Sequence, residues 1–201
     1  MIGRWHAGNK GWMGEAIVAT RAPMSVNEGQ PIDARWLVRA HFDFVWRLLR
    51  RLGVEEAEVD DAAQQVFVIA ARKIATIAAG SERAFLYGTA LRTAATLKRD
   101  LKRRRKWVTT EAIDEAPADG TPHDEIERRQ ALALLDEVLG GLAEDLRVVF
   151  VLSQLEELSH PEIADLLGIP VGTVASRLRR ARDEFASRLR RLQQARGSRT
   201  R

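Results

Sequence analysis

The sequence predicts an all-α chain: two small helical domains joined by a flexible acidic linker, the C-terminal domain containing a helix-turn-helix. Three observations carry that expectation. Apolar residues recur at spacings of three and four along most of a chain rich in Ala, Leu and Arg, with little β-branched alternation. Residues 108–124 interrupt the pattern with a stretch rich in Ala, Asp, Glu, Pro and Thr that bears Pro117, Gly120 and Pro122. Residues 158–182, LSHPEIADLLGIPVGTVASRLRRAR, spell a capped helix, a glycine turn and a second helix of matching polarity.

Residues 1–31 lack sustained periodicity, contain five glycines and two isolated tryptophans, and are expected to form a disordered N-terminal extension. Met24 stands just ahead of the first clear helical pattern and is an alternative start to Met1. The first domain is expected over residues 32–107. Its first helix follows Asp33 and sets Leu37, Val38, Phe42, Val45, Leu49 and Leu52 on one side, until Gly53 stops it. The second begins in the acidic cluster Glu55, Glu56, Glu58, Asp60 and Asp61, favourable near the positive end of a helix. Its inner face is Ala63, Val66, Phe67 and Ala70. Its outer face presents Asp61, Gln64 and Gln65 at i, i+3 and i+4, so the three point one way. Taken alone, such a face is ordinary solvated surface. After a break at residues 78–81, a third helix runs from about Glu82 into KRDLKRRRK at residues 98–106, with Phe85, Leu86 and Leu97 among its larger apolar residues.

The second domain is expected over residues 125–193, opening with helices at Ile126–Leu139 and Glu144–Leu155; Leu132, Leu135, Val138 and Leu139 are the apolar residues of the former. Ser159 followed by Glu162 forms a capping box, Ile163, Leu166 and Leu167 give the next helix its apolar stripe, Gly168 ends it, and Pro170 opens the last. In that last helix Val174, Leu178, Ala181 and Phe185 recur at helical spacing and should face the core, which turns Thr173, Ser176, Arg177 and Arg180 outward together. Hydroxyls and guanidinium groups on one exposed helix face suit the major groove of DNA, where Arg pairs with guanine and Ser or Thr bonds bases or phosphates. Residues 194–201 form a basic tail.

The net charge of +4 is modest, but its distribution is not. Besides the block at residues 98–106, the segment from Arg177 to Arg201 carries ten arginines against two acids, while Glu111 to Glu127 holds only acidic charges. Two surfaces that attract polyanions therefore flank a segment that avoids nucleic acid or imitates it. With no cysteine, disulfides and thiolate metal sites are excluded and a reducing cytoplasm is the expected location. No apolar run approaches the ~20 residues that span a bilayer. An enzyme is not expected, nor a cofactor: His6, His41, His123 and His160 are scattered, no metal-ligand cluster or nucleotide-binding glycine loop is present, and Asp60 and Asp61 are adjacent and so point to different sides of a helix.

With both halves in view, the chain resembles the bacterial RNA polymerase sigma factors of the extracytoplasmic-function (ECF) type, over roughly Ala34 to Arg191. DDAAQQVF (Asp60 to Phe67) is similar to the family's D-x-V-Q-D/E-x-F motif, and FLYGTALRTAATLKRDLKRR (Phe85 to Arg104) to its W-L-Y-x-I-A-x-N-x-x-x-D-x-x-R-R stretch. From Gly141 to Arg182 the match runs almost residue for residue, with GIPVGTV-x-SRL as its most specific core. The resemblance implies a first domain that binds the clamp helices of core RNA polymerase through Asp61, Gln64 and Gln65 and opens the promoter's −10 element. There Phe85, Arg92, Lys98, Arg99 and Arg103 would take the unpaired non-template strand by stacking and backbone contacts. The second domain would read the −35 element as duplex with Thr173, Ser176, Arg177, Arg179 and Arg180. The acidic linker would thread toward the active-site cleft of the polymerase, or serve as a neutral flexible connector. An anti-sigma factor is the further partner implied, and membrane insertion is not.

The chain departs from the family at Phe85, where Trp is usual, at Gly88, Thr89 and Arg92, and at Ala175, commonly Lys or Arg. Stacking survives at Phe85, and Arg177, Arg179 and Arg180 take more of the phosphate load. Two other readings are open to the same residues: a dimeric helix-turn-helix regulator acting without core polymerase, and a degenerate sigma-like decoy that titrates an anti-sigma factor.

Overall fold

The computed structural model describes residues 33–105 and 123–199. The N-terminal extension, the choice between Met1 and Met24, the linker from residue 108 to 122 and the last two residues of the basic tail lie outside the described residues. Seven α-helices are described: α1 (Ala34–Arg51), α2 (Glu56–Arg72), α3 (Glu82–Arg105), α4 (His123–Gly140), α5 (Glu144–Phe150), α6 (His160–Leu167) and α7 (Val171–Arg199). A single 3-10 turn, Ile74–Thr76, follows α2, and a π-helical segment, Val151–Leu155, continues α5. No strand occurs among the described residues.

Helices α1, α2 and α3 pack on one another because each carries one apolar stripe that water would otherwise cover. Leu37, Val45, Leu48 and Leu49 of α1 meet Val59, Ala62, Ala63, Val66 and Ala70 of α2 and Leu86 and Ala90 of α3, all buried. Each large aliphatic residue buried in this way contributes about 1.5–3 kcal/mol. Val38 and Phe42, expected on the inner face of α1, lie instead at its edge, 37% and 38% exposed. Phe42 stacks on the buried Phe67 with ring centroids 6.2 Å apart.

In the second half α7 is the central beam, contacting α4, α5 and α6. Val174, Leu178, Ala181 and Phe185 are buried along it, as their spacing predicts, and Phe185 stacks on Phe150 at 4.5 Å. Helix α4 starts at His123, ahead of the predicted Ile126, and its Leu132 is exposed while Leu134, Val138 and Leu139 are buried. The predicted helix Glu144–Leu155 is present, but its last turn widens into the π segment, which buries Val151, Leu152 and Leu155 and brings Glu156 to its end. Helix α7 continues to Arg199, into the segment read as a tail.

The two halves touch. The C-terminal end of α1 meets α4, and the carbonyl of Leu52 accepts hydrogen bonds from Lys98 of α3 and, at 3.5 Å, from Arg147 of α5. Gly53, at φ +89°, makes this approach possible: a Cβ there would overlap the Arg147 guanidinium.

Candidate nucleic-acid interface

The helix-turn-helix is built from local chemistry. Ser159, extended at φ −70° and ψ 158°, caps α6: its Oγ accepts from the Glu162 N–H, and the Glu162 carboxylate accepts the Ser159 N–H at 2.7 Å. That reciprocal pair satisfies donors which the first turn leaves unpaired. The Ser159 hydroxyl also donates to the Glu162 carboxylate, at 2.6 Å, and this bond, with the Ser159 N–H, holds the Glu162 carboxyl below its ordinary value. Gly168 ends α6 in the left-handed region, φ 64° and ψ 37°, with its N–H donated to Ala164 O. Three residues later α7 begins. Ile163 and Val174, both fully buried, pin the two helices to each other and so set which face of α7 looks outward.

On that outer face Ser176, Arg179 and Arg180 are exposed and Thr173 is half-buried. The Ser176 hydroxyl donates to Thr173 O at 3.0 Å, as a serine within a helix commonly does. Arg177 differs from its neighbours: its Nε lies 3.3 Å from Oδ2 of Asp145 on α5. Lower on the helix Arg182 donates to the Gln154 side chain at 3.2 Å, which ties α7 to the π segment.

In the first half Asp61, Gln64 and Gln65 all stand exposed on α2, opposite the buried Ala62, Ala63 and Val66. The neighbouring Asp60 points elsewhere and accepts the Trp46 indole N–H at 2.8 Å, so adjacent acids do separate jobs. Val68, 43% exposed, extends this face. It lies at i+7, i+4 and i+3 from Asp61, Gln64 and Gln65, a spacing that the sequence displays and that its apolar character obscured.

The five residues proposed for single-stranded DNA are divided by α3. Arg92, Arg99 and Arg103 are exposed; Arg92 donates to Thr89 Oγ1 at 3.3 Å, Arg99 to Thr96 Oγ1 at 3.1 Å, and Arg103 pairs with Asp100 at 2.9 Å. Phe85 is partly buried against the core. Lys98 is turned from the other cations toward the second half, its side chain 13% exposed and its Nζ 3.7 Å from Glu144.

Sequence reasoning missed a buried cluster between the halves. Glu156 Oε1 accepts from Arg51 Nη1 at 2.9 Å and its Oε2 accepts from Tyr87 Oη at 2.9 Å, across sequence separations of 105 and 69 residues. Burial pushes the Glu156 carboxyl up, against the opposing pull of Arg51, Tyr87 and Arg83, and it pushes the Tyr87 hydroxyl up strongly as well, with Glu156 adding to the rise. No local pattern announces such a contact.

Comparison with known proteins agrees with this geometry. Residues 37–105 match the family described as sigma-70 region 2, and residues 132–185 match sigma-70, region 4. The ECF RNA polymerase sigma factor SigE of Mycolicibacterium smegmatis is 32% identical over 154 residues, spanning 74% of this chain and 58% of that protein. The ECF RNA polymerase sigma factor SigC of Mycobacterium tuberculosis is 30% identical over 170 residues, spanning 84% of this chain and 89% of that protein. Among solved structures, the sigma factor RpoE of Bartonella quintana, crystallised in complex with the anti-sigma factor NepR, superposes with a TM-score of 0.62 at 21% identity, covering 78% of this chain and 96% of that one, a likeness of fold. With a region 2 half, a region 4 half and a SigC relative matched along 89% of its length, this chain belongs to the ECF sigma factors of bacterial RNA polymerase.

Proposed function

We propose that the chain binds core RNA polymerase, directs it to promoters and opens them for transcription initiation. The observation that carries this reading is the coexistence, in one chain, of a polar α2 face and a cationic helix-turn-helix, on halves matched to sigma regions 2 and 4. Asp61, Gln64 and Gln65, joined by Val68, would meet the polymerase clamp, an apolar contact ringed by polar groups. Helix α7 would enter the −35 major groove with Thr173, Ser176, Arg179 and Arg180, and with Arg177 once Asp145 releases it.

On α3, Phe85 would stack on an unpaired base while Arg92, Arg99 and Arg103 hold the backbone of the non-template strand. No hydrolysis is required. Unstacking costs a few kcal/mol per step, which base capture and phosphate contacts offset. We place the domain boundary in the linker at residues 108–124, the protein in the cytoplasm beside the polymerase, and an anti-sigma factor among its partners. A regulator acting without polymerase has no use for a region 2 half. Association of the purified chain with sigma-free core polymerase tests the reading: a stable complex that initiates at defined sites supports it, and duplex binding with no core association overturns it.

A further inference from the structure

A cleft of about 470 Å³ opens beside the recognition helix, between α5, the end of α6 and the turn that leads into α7. Val148 of α5, Leu167 of α6 and Ile169 of the turn form its apolar wall, each packed on the core yet only half-buried. Glu144, Asp145 and Arg177 supply its charge. A space of this size, with an apolar wall and a few polar groups converging on it, has the make-up of a small-molecule site.

The charge of the lining selects among ligands. Two carboxylates stand against one guanidinium, and Lys98, which lies 3.7 Å from Glu144, belongs to α3 and does not line the cleft. The Asp145 side chain is 49% exposed and so within reach of an incoming group. Arg177 touches it through Nε at 3.3 Å and is itself 33% exposed, which makes their pair weak enough to exchange. A ligand ammonium can take the place of the guanidinium on Asp145 while its carbon body covers Val148, Leu167 and Ile169 and removes their apolar surface from water. An anion would instead meet both carboxylates.

We propose that this cleft is an effector site for a small amphipathic cation, a primary amine on an apolar body, and that the amine displaces Arg177 from Asp145. Arg177 lines the cleft and belongs to the outer face of α7 that carries Ser176 and Arg180. Occupancy of the cleft and binding of DNA therefore share one side chain. Their coupling is reciprocal: the factor by which the amine tightens duplex binding is the factor by which duplex tightens amine binding. The coupling rests on the reading of α7 as the −35 helix, whereas the amine site does not.

Phenethylammonium serves as the probe, beside 3-phenylpropionate as an anion of similar shape, phenethyl alcohol as a neutral one and ammonium chloride as the control for ionic strength. Titrated into the full chain, phenethylammonium should move the NMR methyl resonances of Val148, Leu167 and Ile169 along one saturable curve. Asp145→Asn should raise its dissociation constant at least about fivefold. Shifts that do not saturate, an equal response to either comparison compound, or a dissociation constant that Asp145→Asn leaves in place would each overturn the site. With a −35 duplex, saturating phenethylammonium should tighten binding by about twofold to fivefold in fluorescence anisotropy. The Asp145→Asn chain, its Arg177 already released, should show no such response. Duplex affinity that phenethylammonium leaves unchanged or weakens overturns the coupling through Arg177. A chain that binds no duplex at all would sink the −35 reading, and the methyl titration would still decide the amine site.

Discussion

The Nε of Arg177 lies 3.3 Å from Oδ2 of Asp145, so one cation of the recognition helix is held by the helix behind it. Both side chains are a third to a half exposed, and such a pair is worth at most about 1 kcal/mol. Arg180, on the same face, is exposed.

Arg180→Ala should therefore weaken −35 duplex binding more than Arg177→Ala, and flatten the dependence of log affinity on log salt by about one. Asp145→Asn should tighten binding, by up to about fivefold for ~1 kcal/mol. Fluorescence anisotropy across a salt series checks both. Unchanged slopes for the two arginine variants would remove those residues from the interface.

On α2, Asp61→Lys or Gln65→Lys should impair association with core polymerase while leaving −35 duplex binding intact. Val68→Asp should do the same, because a carboxylate at the apolar end of the face must be desolvated on docking. Pull-down with core polymerase beside duplex binding separates the effects; loss of both activities would indicate misfolding.

Glu157 is the one non-glycine residue at positive φ among those described, at 58° in the turn between the π segment and α6. The left-handed region costs a residue with a Cβ about 1–2 kcal/mol, and glycine returns part of that through its unfolded-state entropy. Glu157→Gly should raise stability by about 0.5–1 kcal/mol, and Glu157→Val, branched at Cβ, should lower it. Urea denaturation followed by circular dichroism reads both, and a less stable glycine variant would show that the Glu157 side chain contributes more than its backbone costs.

The capping box gives a pH prediction. Glu162 has its carboxyl held below the ordinary 4.5 by its bonds to Ser159. A depressed carboxylate contributes stability that is present above the unfolded value and lost as pH falls through the folded one. Stabilisation from this pair should thus persist at pH 5 and fade below 4.5. Ser159→Ala should cost about 1 kcal/mol near neutral pH and move the Glu162 titration up toward 4.5. Carboxyl-detected NMR follows it; a Glu162 titration that Ser159→Ala leaves in place would contradict the assignment.

What the sequence disclosed and what it withheld divide along one physical line. Ser159, Gly168 and the spacing of Val174, Leu178, Ala181 and Phe185 act within a few residues, so the cap, the glycine turn and the inward face of the last helix are legible in the sequence. So was the shared direction of Asp61, Gln64 and Gln65. Val38, Phe42 and Leu132 share the spacing of the inner faces yet are exposed, because helical spacing fixes a face but not how far the opposing helix covers it. The turn of Lys98 away from Arg99 and Arg103, the restraint on Arg177 and the Arg51–Glu156 contact depend on partners 46 to 105 residues distant, or on packing of α5 against α7. Composition and periodicity carry no record of those pairings. The widening of α5 into a π segment is likewise invisible in the apolar run that forms it, VLSQL.

Promoter opening by this chain with core polymerase is read at single thymines by permanganate footprinting in a reconstituted reaction. Purified chain, sigma-free bacterial core polymerase and genomic promoter fragments are combined, and reactive unpaired thymines are mapped beside transcript start sites. Reactive thymines are expected just upstream of discrete start sites, dependent on both proteins and lost with Asp61→Lys. Core binding with no reactive thymines on any fragment would rule out promoter opening and mark the chain as a decoy.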